Sequence, residues 1–177
     1  MSALDGFYAT WSNARATFGQ GTPQTGEPFD QSGALDQLRA RLDATAPGSR
    51  WSGDASVAYA AANAQHQQVI GEIADLDRRL AAQINDAARI VTTGRQNLDA
   101  VHKWVTDAAA SVPQNQAGQY MLLSIASSGI SKVADVVEST NAQLNTVADG
   151  IQAVRSQYSA LANQRFASGE GTAGQNA

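Results

Sequence analysis

Cysteine is absent from all 177 residues. That removes disulfides, thiolate metal sites and thiol nucleophiles. It leaves the compartment open, because a secreted fold with a sufficient core can dispense with disulfides. Lysine is scarce too, with only Lys103 and Lys132 among twelve basic residues, and the net charge is −4. No basic patch stands out, which argues against nucleic acid as a partner and against binding to anionic membranes. The N-terminus, Met1-Ser2-Ala3-Leu4-Asp5-Gly6, has no basic stretch followed by an apolar run, so a standard secretory signal peptide is not expected. No run approaches 18 uninterrupted apolar residues, and no transmembrane segment is expected.

Catalytic chemistry is equally thin. The only histidines, His66 and His102, fall on one predicted helix, where 36 residues of separation amount to roughly 54 Å. They cannot share a metal, and each reads as a lone surface histidine. The glycines form no phosphate-cradling loop, and no serine sits in a Gly-x-Ser-x-Gly context. Asp75, Asp77, Arg78 and Arg79 make the densest charge cluster. It reads as a solvated face, because a catalytic carboxylate pair needs a dry pocket. The expectation is a protein with no enzymatic activity, cofactor, metal or small-molecule substrate.

What is present is helical patterning. Breakers cluster at Gly19–Pro28, Pro47–Gly53, Pro113–Gly118 and from Ser168 onward. They leave four helical segments, at about 3–18, 33–45, 54–112 and 119–166, and a Gly/Ala/Asn tail over 167–177 that reads as disordered. Residues 1–166 then form one domain. Segment one carries Leu4, Phe7, Tyr8, Trp11 and Phe18 on one side, and segment two carries Leu35, Leu38 and Leu42.

The long segments speak most clearly. Segment three places Val69, Ile73, Leu76, Leu80, Ile84, Ala87, Val91, Gly94, Leu98, Val101, Val105 and Ala108 at alternating steps of 3 and 4, with one stutter at Leu76–Ile84. Segment four does the same with Leu123, Ala126, Ile130, Val133, Val137, Thr140, Leu144, Val147, Ile151, Val154, Tyr158 and Leu161. Paired outward from the turn, their numbers total 230 or 231 each time, as Leu98 with Val133 and Leu80 with Ile151. A constant total is the register of an antiparallel hairpin, about 60 Å long, that reverses near Asn115. Gly94, facing Val137, reads as a point of close approach. A shorter mirror pairs Leu42 with Val57, Leu38 with Ala61 and Leu35 with Ala64. The fold expected is all-α: a long antiparallel helical hairpin with two shorter N-terminal helices packed at one end, segment one completing a local bundle with segment two.

Between segments two and three lies Trp51-Ser52-Gly53. Glycine tolerates the backbone angles of a turn, and the tryptophan is expected to cap the adjoining bundle. Trp-x-Gly at a helix–helix turn resembles WXG-type type VII secretion substrates and the related PPE proteins. Three stretches sharpen this into a resemblance to the EspA/EspE-like family of ESX secretion-associated proteins: Ser2-Ala3-Leu4-Asp5-Gly6-Phe7-Tyr8, then Trp51-Ser52-Gly53 with Ala58-Tyr59, then Glu72 to Leu80. The resemblance covers about residues 2–105. Family members continue into an apolar stretch and a long C-terminal region, whereas here a polar second arm follows.

The resemblance implies a protein made in the cytoplasm and carried out to the medium or cell surface by type VII (ESX) secretion, with Trp51 and Gly53 as its secretion motif. Substrates of that class also carry a Tyr-x-x-x-Asp/Glu signal, yet none occurs here: Tyr8, Tyr59, Tyr120 and Tyr158 are followed four places on by Ser12, Asn63, Ser124 and Ala162. In this family the resemblance implies that a small helical partner or chaperone supplies the signal. Two alternatives stand beside it: an intracellular helical scaffold that self-associates as a homo-oligomer, and the trafficking module of a larger toxin.

Overall fold

The computed structural model describes residues 2–48 and 51–169, with side chains as far as Gln164. The fold is all-α, with no strand among the described residues. Helices run over α1 (Ala3–Thr17), α2 (Ser32–Ala44), α3 (Asp54–Ala110) and α4 (Gln116–Gly169), with a short 3-10 helix at Glu27–Phe29. The ends follow local chemistry. Asp5, on the first turn of α1, accepts hydrogen bonds from the Ser2 backbone N–H at 2.5 Å and the Ser2 hydroxyl at 2.9 Å, satisfying donors that open a helix. Those bonds hold the Asp5 carboxyl below the usual carboxylate range. Asn115 closes the reversal before α4, its side chain accepting the Gly118 N–H at 2.8 Å. Of the predicted tail, residues 167–169 continue α4, and the remainder lies outside the described residues.

The chain divides into two compact units, residues 1–24 with 86–147 and residues 25–85 with 148–177. In the first, Phe7, Leu98, Val105, Ala126 and Val133 form one buried cluster, which includes Leu98 and Val133 of the expected pairing. Direct approaches between α3 and α4, Gly94 to Thr140 and Val105 to Gly129, total 234, within a helical turn of the expected register. α1 is held to α3 by Trp11, whose indole N–H donates to the Leu98 carbonyl at 2.8 Å, and by Tyr8 with Thr106 at 3.3 Å. Arg95 donates to the Phe18 carbonyl at 2.7 Å, closing the end of α1.

That placement corrects two expectations. Segment one is not in the same unit as segment two: α1 packs on the 98–106 stretch of α3, and α2 belongs to the other unit. α4 must therefore face two helices at once, and its inner face rotates from a two-helix seam. Leu123 and Ile130 are exposed, while Leu122, Ile125, Gly129 and Val136 turn inward. Gly94 is a close-approach point, but its neighbours are the Phe18 ring and, at 2.9 Å, Thr140 Oγ1, not Val137. Gly94→Ala should therefore lose about 1–3 kcal/mol by overpacking, despite alanine's better helix propensity. Urea melts of the two proteins measure this directly.

In the second unit α3 buries Ala74, Leu76 and Ala81, and α4 buries Val154. Gly26 lies against the Ala81 backbone, with its N–H donating to the Asn85 side chain at 2.8 Å. The short mirror about residue 49 is not realised: Leu38 and Val57 are exposed, and the Leu42 carbonyl accepts from the buried Asn63 side chain at 2.8 Å. Six residues separate Asn63 from the expected partner Val57, about 9 Å along a helix. The stretch from Ala55 to Ala64 is so alanine-rich that apolar pattern cannot choose a register, and polar contacts choose it instead. The charge cluster is also more than a solvated face. Arg78 bridges Asp75 and Asp36 of α2, Arg79 donates to Gln157 of α4, and Asp77 accepts from Tyr158 of α4. Burial, followed by the Asp77 contact, pushes the Tyr158 hydroxyl well above its usual range.

Candidate functional site: the Trp-x-Gly turn

α2 ends at Ala44 and α3 begins at Asp54, so Trp51-Ser52-Gly53 is the lead-in to the longest helix. Gly53 has φ +111, a conformation that strains any L side chain. Its carbonyl accepts the Ser56 N–H at 3.0 Å and the Val57 N–H at 3.1 Å, which starts α3. The buried Ser56 hydroxyl donates back to the Trp51 carbonyl at 2.9 Å. The Trp51 backbone is thus tied to the first turn of α3 by its own sequence neighbours.

The Trp51 side chain corrects its expected role. It does not cap a bundle: 49% of it is exposed, and its ring lies 5.5 Å from that of Tyr59, tilted 52°. Tyr59 is 42% exposed. The result is a two-ring platform open to solvent, with the glycine setting where it starts. No group in Trp51-Ser52-Gly53 titrates near neutrality, so the turn can act only by contact and shape. Tyr59 is the residue that pattern reasoning leaves without a role. Its position in the second turn of α3, with its ring beside that of Trp51, is set by helical spacing. Trp51→Ala should change stability by only about 0.5–1.5 kcal/mol, the worth of an exposed aromatic pair. Thermal melts of wild type and variant give the comparison.

The histidines stay apart in role as well as in sequence. His66 is exposed. His102 is no surface residue: it is half-buried among Trp11, Tyr8 and Phe7, with ring centroids at 4.4, 5.3 and 6.4 Å. It helps seat α1 on α3. Among the described residues no group of three or more His, Asp or Glu side chains could hold a metal. α4 contains a stretch long and apolar enough to cross a membrane by composition alone, with mean hydropathy 1.2; within the first unit the inner face of that stretch packs into the core.

Residues 18–100 match the EspA/EspE family. Over 110 residues the chain is 36% identical to the ESX-1 secretion-associated protein EspA of Mycobacterium tuberculosis, in strains CDC 1551 / Oshkosh and ATCC 25618 / H37Rv. That alignment covers 58% of this chain and 25% of the relative, so the chain spans about a quarter of the length of the proteins it matches. No solved structure matches it. The family match takes in the Trp-x-Gly turn and the Glu72–Leu80 stretch, and it begins after α1.

Proposed function

Because this chain carries an EspA/EspE-like domain, we propose that it is a non-enzymatic substrate of a type VII (ESX) secretion system, exported with a small helical partner. The observation that carries the reading is the Trp51–Tyr59 platform. An aromatic pair held half in solvent adds little to folding, and exposed aromatics are the residues that anchor contacts between proteins. The platform sits inside residues 18–100, the stretch that matches the EspA/EspE family. On this reading Trp51 and Gly53 form the secretion motif, and the destination is the medium or cell surface. The partner, on the same reading, supplies a Tyr-x-x-x-Asp/Glu element, which none of the tyrosines in these 177 residues begins.

The test is expression in a mycobacterial host with an intact ESX-1 system and in one lacking it, each with and without a co-expressed small helical protein that carries the missing element. The expected result is protein in the culture filtrate only when both the system and the partner are present. Retention in the lysate under every condition, while a known ESX-1 substrate is exported normally, contradicts the reading and favours an intracellular scaffold.

A further inference from the structure

In the first unit an open groove of about 860 Å³ runs between α1 and α4. The two helices advance in the same direction there, since Phe7 lies against Gly129, and Phe18 and Thr140 meet at Gly94. One wall is Thr10, Asn13 and Thr17, all short side chains; the other is Ile130, Ala134 and Val137. Both walls repeat at steps of 3 and 4, so they present parallel rows of the kind into which a third helix packs its ridge. The lining on α4 runs from Ile130 to Asn145, about 22 Å or four turns of helix. Ile130, in the lining, is 38% exposed.

Charge identifies the occupant. Glu138 is the one ionisable residue in the lining. Along the lined stretch, Ile130 to Asn145, α4 carries Asp135 and Glu138, neither in an ion pair among the described residues. Its one basic residue there, Lys132, has its ammonium over the Trp104 ring, outside the lining. A second copy seated groove to groove would bring Glu138 against Glu138. Residues 170–177 offer no apolar side chain larger than alanine. We infer that the groove seats one amphipathic helix of another protein, about four turns long, with an apolar stripe and a flank of Lys or Arg beside Glu138. The inference rests on the partnered reading above and assigns the partner's contact to the first unit, whereas the Trp51 turn belongs to the second.

The experiment uses the full chain and two labelled 21-residue helical peptides with the same Leu/Ala stripe, one flanked by Lys and Arg, the other by Glu, followed by fluorescence anisotropy. The basic peptide should bind saturably and the acidic one at least tenfold more weakly. Ile130→Ser and Ala134→Lys should each weaken the basic peptide at least tenfold, and Glu138→Lys should erase the preference. Ser124→Lys, a matched charge on an exposed position outside the lining, should have no effect; circular dichroism melts confirm that each variant is folded. Trp51→Ala should bind as wild type does, so a failed groove and a failed secretion motif are told apart. Binding of neither peptide, binding indifferent to Ile130→Ser and Ala134→Lys, or a wild-type dimer that Ala134→Lys dissociates would each overturn the inference.

Discussion

Phe7→Ala should lower stability by about 3–5 kcal/mol, the range for truncating a buried phenylalanine. Phe7 is the one residue of α1 with no exposed surface, and it shares a cluster with Leu98, Val105, Ala126 and Val133. Its ring lies where a Cβ on Gly129 would stand, 2.8 Å away, so α4 approaches here only because residue 129 has no side chain. Removing the ring leaves a cavity walled by two helices that cannot close on it, and the edge contact with Tyr8 and the tilted contact with His102 are lost as well. Urea unfolding of wild type, Phe7→Leu and Phe7→Ala measures the effect, with the leucine variant falling between the others. A loss below about 1 kcal/mol for Phe7→Ala would mean that α1 is not docked as described, because that is the range of surface substitutions.

Gly26→Ala should cost about 3 kcal/mol, the upper end for overpacking. A Cβ at residue 26 would collide with the carbonyl oxygen, the carbonyl carbon and the Cα of Ala81. Backbone meets backbone there, and no flexible side chain can move aside. The adjoining hydrogen bond from Gly26 to Asn85 would break as the segment withdrew. Gly33→Ala is the control, since nothing lies within 4 Å of a Cβ at that position and it sits in α2. Its stability should hold or rise slightly. Equal melts for the two alanine variants would contradict the docking of residues 25–31 on α3.

Much of this architecture can be read from residue spacing, and the failures have identifiable causes. All twelve seam positions of segment three, from Val69 to Ala108, are buried or half-buried, because a 3–4 repeat sustained over eleven steps marks one continuous inward face of a helix. On α4 the same spacing succeeds at Ala126, Val133, Thr140, Val147 and Val154 and fails at Leu123 and Ile130. The failures lie where α1 contributes a second packing partner, and a two-helix seam cannot register a third helix. Position is lost for a similar reason: the aromatic face of α1 announces that it packs, but nothing local to it specifies residues 98–106 as the place. In α2 the mirror about residue 49 relies on alanines, whose uniformity leaves the register to Asn63 and to the Gly26–Ala81 contact.

The Trp-x-Gly turn is legible as a motif and illegible as geometry. Glycine's freedom falls where the motif places it, at φ +111. The tryptophan reads as a core residue because large aromatics usually carry packing energy. Its exposure follows from the loop between α2 and α3, where the Ser56 hydroxyl ties the Trp51 carbonyl to α3 and leaves the ring lying over Tyr59. An aromatic residue that folding does not need is the reason for assigning it to recognition.

The most direct test sets export against stability in one variant. Wild type and Trp51→Ala are produced in the same ESX-1-competent host with the small partner present, and the filtrate-to-lysate ratio of each is measured beside its melting curve. The predicted result is near-equal melts and a loss of Trp51→Ala from the filtrate. Unchanged export of Trp51→Ala, at wild-type stability, would contradict the claim that this turn directs secretion.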